Sequence, residues 1–112
     1  ESLVRMSFAN LFTEESKVTY ASDYERALKL ALQTPLQGYI AAQEGMMRRK
    51  NRLEILKTLK GKKLIIIGEK DNLIDKSLLM KKIEDTTIDL EVLSEGHMSH
   101  IENKSDLSIY NC

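Results

Sequence analysis

The chain has 112 residues, of which 42% are hydrophobic and 30% charged, so it is long enough for one small domain and too apolar for disorder. Seventeen basic residues balance seventeen acidic ones, and this neutrality gives no electrostatic sign of nucleic-acid or membrane binding. No apolar run approaches the roughly 18 residues of a membrane span. The single cysteine, Cys112, excludes an internal disulfide, and without a visible signal peptide it favours the cytoplasm.

Residues 1–60 carry helical patterns. Apolar residues within 1–12 fit a short amphipathic helix. Ser22 and Glu25 predict a capping box at the start of a second helix. The apolar stripe of that helix has helical spacing and consists of Tyr24, Ala27, Leu28, Ala31 and Leu32.

Two further helices follow in this segment. Pro35 predicts the first helical position of a third helix that reaches about Met47. Asn51 predicts the cap of a short fourth helix, and Gly61 is expected to close it with a positive φ.

After Gly61 the pattern changes to strand, helix, strand. Residues 64–67 are a solid β-branched block, typical of a strand buried on both faces, and residues 88–93 alternate as a second strand. Asp75 predicts the cap of the helix between them, and Asn103 or Ser105 begins a last helix containing Leu107 and Tyr110. The fold class is therefore α/β, with a βαβ unit whose two strands are parallel and whose crossover is right-handed.

Two parallel strands make an incomplete domain. Parallel sheets occur almost only where both faces are covered, and a two-stranded sheet leaves both edges unpaired. The start at Glu1 and the end at Cys112, soon after the last helix begins, are also expected of a fragment. We therefore expect a partner, either a missing N-terminal half or a second copy of the chain.

Two polar residues follow the two predicted strands. Asp71 comes three residues after Gly68, and His97 comes 26 positions after Asp71, directly behind Gly96, which is expected to let the chain turn sharply. Taken alone, Asp71 is ordinarily interpreted as a turn or cap carboxylate. His97 alone is ordinarily interpreted as an exposed or structural histidine. Because both follow parallel strands at the same edge of one sheet, we expect them to meet at hydrogen-bond distance.

The same residues resemble the C-terminal half of an α/β-hydrolase. Residues 64–71 look like the family's penultimate core strand with its Gly-x-x-Asp ending, and residues 96–102 look like its Gly-His-x-x-His-x-Glu ending. Residues 34–52 are similar to the last part of the helical cap. The resemblance implies a division into a cap-like segment, 1–60, and a C-terminal core segment, 61–112.

The resemblance also implies catalytic roles, with Asp71 as triad acid and His97 as general base. The implied parent is a serine-type hydrolase that acts on an ester, amide or similar small molecule. No Gly-x-Ser-x-Gly elbow occurs in the 112 residues, so this chain alone is expected to be inactive. In a cap, Phe8, Phe12, Met46 and Met47 can line an acyl pocket.

Other chemistry has weaker support. His97 and His100 have a spacing that can bind a metal, but no further ligands complete a set, so neither a metal nor a cofactor is expected. His100 is expected to pack or form a hydrogen bond beneath the site. The basic residues between 48 and 63 fit a solvated helix face better than a nucleic-acid site. The alternative functions are a non-enzymatic helical interaction module with a βαβ appendix and a nucleotide-binding half-domain, although a phosphate-binding glycine loop is absent.

Overall fold

A computed structural model describes residues 1–110, which form eight helices and one pair of parallel strands. The helical segment contains α1 (Ser2–Ala9), α2 (Glu14–Thr19), α3 (Ala21–Leu32), α4 (Leu36–Arg48) and α5 (Leu53–Thr58). The βαβ unit follows as β1 (Lys63–Gly68), α6 (Lys76–Ile83) and β2 (Ile88–Leu93), and the described chain ends with α7 (Ser99–Glu102) and α8 (Lys104–Ser108). The predicted α/β class is confirmed.

The start of the second predicted helix differs from the expectation. The structure has a separate helix, α2, that was not predicted. Its N-cap is Thr13, whose hydroxyl accepts a hydrogen bond from the Ser16 N–H at 3.1 Å. A break at Tyr20 separates α2 from α3, so Ser22 lies inside α3. The predicted capping box at Ser22 is therefore wrong, because the chain is already helical there.

The next two helices form close to their predicted bounds. Pro35 is the N-cap of α4 rather than its first helical residue. The Asn51 carboxamide oxygen accepts a hydrogen bond from the Leu53 N–H at 2.9 Å, but Arg52, and not the predicted Asn51, occupies the N-cap position of α5. Gly61 has the expected positive φ, 102°, but it does not close the helix, because α5 already ends at Thr58.

The end of α5 is closed by a cation instead. The Lys63 ammonium group donates hydrogen bonds to the carbonyls of Lys57 and Leu59, at 3.1 and 2.8 Å. These carbonyls lie at the helix C-terminus, where they lack partners in the helix and a positive charge is favourable. The first residue of β1 thus also holds the end of the preceding helix.

The two strands of the sheet are parallel and in continuous register from Lys63 opposite Ile88 to Gly68 opposite Leu93. The predicted cap of the intervening helix is confirmed, because the Asp75 carboxylate accepts a hydrogen bond from the Leu78 N–H at 3.0 Å. The expected burial of β1 on both faces is wrong for the described residues, since Leu64 remains 47% exposed. Within residues 1–110, that end of the strand is therefore only partly covered.

The main apolar core joins the helical segment to the end of the chain. Phe8, Phe12, Leu28 and Ile101 are buried together, and the predicted α3 stripe packs against them. Tyr24 contacts both phenylalanines, with ring centroids 5.6 Å from Phe8 and 5.0 Å from Phe12. Residues before and after the strand pair therefore share one core.

The end of the described chain follows the prediction in part. Asn103 precedes α8 as its N-cap residue and Leu107 lies inside the helix, whereas Tyr110 lies beyond its end. Cys112 is outside the described residues. Within residues 1–110, no helix has the length and apolarity needed to cross a bilayer.

Candidate functional site

The carboxyl ends of the two strands continue side by side into the loops that follow. The Glu69 N–H donates to the Leu93 carbonyl at 2.7 Å, and the Lys70 N–H donates to the Glu95 carbonyl at 2.9 Å. A Cβ on Gly68 would lie only 2.1 Å from the Gly96 carbonyl oxygen. The two loops can approach this closely only because residue 68 has no side chain.

Asp71 lies in the turn after β1 and uses its two carboxylate oxygens separately. Oδ1 accepts hydrogen bonds from the N–H groups of Leu73, at 2.7 Å, and Ile74, at 3.1 Å. Its own N–H donates to the Gly68 carbonyl at 3.2 Å. Asp71 thus has the turn role that was considered for it, and the turn uses only its Oδ1 atom.

His97 lies in the loop between β2 and α7. Its N–H donates to the carbonyl of Leu11 at 3.0 Å, so the helical segment holds the backbone of this loop. His97 Nδ1 lies 2.8 Å from Asp71 Oδ2, the oxygen that the turn leaves free. The prediction that the two side chains meet at hydrogen-bond distance is confirmed.

The two partners differ in their contact with solvent. The Asp71 side chain is 4% exposed, whereas the His97 side chain is 35% exposed. An ionised carboxylate only accepts hydrogen bonds, so Nδ1 carries the shared hydrogen, and the neutral ring keeps its lone pair on Nε2. A buried acid and an accessible imidazole are the arrangement that orients a general base.

The pKa of Asp71 is set by opposing influences. Burial alone would raise the pKa of the carboxyl group, because it disfavours the charged form. The hydrogen bonds from His97 and from the Leu73 and Ile74 N–H groups, with attraction to a charged imidazole, outweigh burial. The pKa of Asp71 therefore lies below its ordinary value of 3.8, and the carboxylate is ionised at neutral pH.

Gly96, directly before His97, is needed for space, because a Cβ there would lie 2.8 Å from Glu102 Oε2 and 3.1 Å from the Leu11 carbonyl oxygen. His100 is exposed on α7, so the expectation that it packs or forms a hydrogen bond beneath the site is wrong. Within residues 1–110, no three His, Cys, Asp or Glu side chains are grouped so that they can hold a metal ion.

Two buried polar residues, Glu102 and Asn103, support the loop that carries His97. Glu102 is 2% exposed, and its carboxylate accepts hydrogen bonds from the backbone N–H groups of Thr13 and Met98. Asn103 is also buried; its side-chain oxygen accepts a hydrogen bond from the Glu95 N–H at 3.1 Å, and its Nδ2 donates to the Ser94 hydroxyl at 3.0 Å. Glu102 ends the Gly-His-x-x-His-x-Glu pattern and Asn103 was considered as the start of the last helix, but nothing in the sequence indicated these contacts with the loop.

A cavity of about 550 Å³ lies between the helical segment and the Asp71 turn. Its apolar wall comes from α1, α3, α4 and two loops, and consists of Val4, Phe8, Leu11, Ala31, Tyr39, Met46 and Leu73. Of the four residues expected in an acyl pocket, Phe8 and Met46 line this cavity. Phe12 is buried in the core and Met47 is exposed, so neither forms part of its wall.

The site contains an acid and a base, but no hydroxyl group is bound to the base. Within the described residues, no serine, threonine or tyrosine oxygen is hydrogen-bonded to the His97 imidazole, and Asp71 is its side-chain partner. The pair can orient an imidazole and stabilise its charged form. No protein-family model matches the chain, and no curated protein matches its sequence.

Proposed function

We propose that this chain supplies the acid and the general base of a serine-type hydrolase of the α/β-hydrolase kind. The observation that carries the proposal is the 2.8 Å contact between a buried Asp71 carboxylate and the more exposed imidazole of His97. Parallel strands that end side by side support it, because ligands and catalytic groups collect at that edge of an α/β sheet.

In the proposed mechanism, His97 accepts a proton from a serine hydroxyl and later returns it to the leaving group. Asp71 keeps the hydrogen on Nδ1, so Nε2 is free to act as the base, and it stabilises the imidazolium that forms. Neither residue attacks the substrate. The proposed substrate is an ester, an amide or a similar small molecule.

The serine and the remaining strands are proposed to come from another segment. The chain has no Gly-x-Ser-x-Gly sequence, so a second copy covers exposed strand surface but adds no elbow. An N-terminal half of the same fold provides both. The exposed Leu64 in β1 supports such an addition, because a parallel strand is ordinarily covered on both faces.

The cavity supports a substrate with an apolar group. Two of its wall residues also hold the acid–base pair: the Leu11 carbonyl accepts the His97 N–H, and the Leu73 N–H donates to Asp71. An apolar group in this cavity thus lies beside the loops that position the pair. Small-molecule sites of this volume are mostly apolar with few polar groups.

The test uses the protein that joins this chain to the nucleophile. His97→Ala and Asp71→Asn are each expected to lower the hydrolysis of an activated ester by about 10³–10⁴-fold, as for members of a triad. The double variant is expected to be little worse than His97→Ala, because both residues act through one proton transfer. His100→Ala is the matched control, since this nearby histidine is exposed, and it should retain activity. Independent, multiplicative losses would contradict a shared mechanism.

A second candidate is a helical interaction module, favoured by the surface of α4. None of the residues of α4 is buried, and Leu36, Ile40 and Met47 are exposed apolar side chains on it. The gene sequence distinguishes the candidates. An upstream reading frame encoding Gly-x-Ser-x-Gly supports the hydrolase, whereas a start codon directly before Glu1 favours the module.

A further inference from the structure

The side chain of Glu102 is the largest one that is fully buried in the described chain, and the proposed chemistry does not use it. Burying a carboxylate is unfavourable unless hydrogen bonds replace its water. Oε1 accepts a hydrogen bond from the Thr13 N–H at 2.8 Å, and Oε2 accepts one from the Met98 N–H at 3.0 Å. Each oxygen therefore has a backbone donor, and the two donors come from distant parts of the chain.

These contacts surround the backbone of His97. Met98, directly after His97, is held by Glu102, and the His97 N–H is held by the Leu11 carbonyl at 3.0 Å. Gly96, directly before His97, packs on the same carboxylate, because a Cβ there would collide with both of its oxygens, at 2.8 and 3.0 Å. The three residues 96–98 are thus fixed against Glu102 and the segment 11–13.

We propose that Glu102 is a positioning residue that sets the orientation of the His97 imidazole toward Asp71. It acts through the backbone of residues 96–98 and does not touch the substrate. Hydrogen bonds to a charged carboxylate are short and strong, and they hold backbone groups better than neutral partners do. The segment between α1 and α2 takes part in this positioning. The Thr13 N–H donates to Glu102, and the Leu11 carbonyl accepts the His97 N–H.

The test measures the tautomer of His97 by ¹⁵N NMR of the histidine-labelled chain at a pH above the ordinary imidazole range. In the wild type, the Asp71 carboxylate favours hydrogen on Nδ1. Glu102→Gln has nearly the same shape, but its NH₂ group would face one of the two N–H donors, so one hydrogen bond is lost. In Glu102→Gln and in Glu102→Ala, we expect the Nδ1–H tautomer to be no longer the majority form of the neutral His97 ring.

Leu28→Ala is the matched control. Leu28 is buried in the core with Ile101, the residue before Glu102, and makes none of the hydrogen bonds of Glu102. Its truncation is therefore expected to lower stability without removing those hydrogen bonds. It should keep the wild-type tautomer. Exposed His100 provides an internal reference signal in every spectrum.

Two results would overturn the proposal. One is a folded Glu102→Gln with an unchanged His97 tautomer, which would make Glu102 a support of the core only. The other is an unfolded Glu102→Gln beside a folded Leu28→Ala, which would make the residue a determinant of the fold rather than of the imidazole orientation.

The tautomer is measured without any turnover, so this test is independent of the proposed hydrolase activity. In the assembled enzyme, Glu102→Gln is expected to lower kcat with little change in KM, because it affects the base and not the substrate. If Glu102→Gln changes the His97 tautomer but His97→Ala does not lower turnover, the positioning role stands and the proposed hydrolase function is contradicted.

Discussion

Replacing Gly68 with alanine tests whether close contact between the two strand exits creates the site. The added Cβ would lie 2.1 Å from the Gly96 carbonyl oxygen and 2.3 Å from that of Glu95, whereas real contacts of this type stay above 3.0 Å. Both oxygens belong to the backbone, so no side chain can rotate away. The loops must separate by about 0.9 Å to relieve the closest contact.

This separation has a calculable effect on the pair. If the shift is transmitted to His97, the distance from Nδ1 to Asp71 Oδ2 grows from 2.8 Å to about 3.7 Å, beyond hydrogen-bond range. The bonds from Glu69 to Leu93 and from Lys70 to Glu95 cross the same gap and weaken with it. Overpacking of this severity is expected to lower the free energy of unfolding by about 3 kcal/mol.

The assay is urea unfolding followed by circular dichroism, together with the His97 tautomer from ¹⁵N NMR. Gly45→Ala is the control, because a Cβ at this position in α4 meets no atom within 4 Å. Alanine there should leave stability unchanged or raise it by up to about 1 kcal/mol, since glycine is a poor helix former. A Gly68→Ala variant within about 0.5 kcal/mol of the wild type, with its tautomer unchanged, would refute the reasoning.

Two further predictions concern acid pH and association. Because the pKa of Asp71 is lowered on folding, its contribution to stability is complete above the ordinary value of 3.8 and is lost as the pH falls through the lower, folded value. The stability difference between the wild type and Asp71→Asn should therefore shrink in that acid range, and a constant difference in urea unfolding would contradict the assignment. The exposed Leu64 of β1 and the open edges of its sheet predict that the purified chain associates and shows no esterase activity. Light scattering that detects a folded monomer, or an ester assay with activity abolished by His97→Ala, would contradict this prediction.

Local physical chemistry allowed the sequence to predict most of the elements. The apolar block at 64–67 forms a strand, Asp75 caps α6, and the apolar stripe of α3 faces the core. Each of these features depends on residues within a few positions of one another. The capping box at Ser22 was wrong because Thr13 and the break at Tyr20 offered a competing way to begin the helices.

The meeting of Asp71 and His97 was also predictable, although they are 26 positions apart. Parallel pairing in a βαβ unit places both strand exits at one edge, so the topology alone brings the two loops together. Which oxygen of Asp71 is free for His97 was not predictable. That choice depends on the turn in which Oδ1 binds Leu73 and Ile74.

The support of His97 was decided by the tertiary structure alone. Glu102 binds the N–H of Thr13 across 89 positions, and Gly96 is needed because that carboxylate and the Leu11 carbonyl occupy the space beside it. No periodicity or cap pattern connects residues this far apart, because their contact arises only after the core around Phe12 and Ile101 has formed. The sequence therefore determined most of the elements and the meeting of Asp71 with His97, whereas packing between the two ends of the chain determined what holds the backbone of His97 in place.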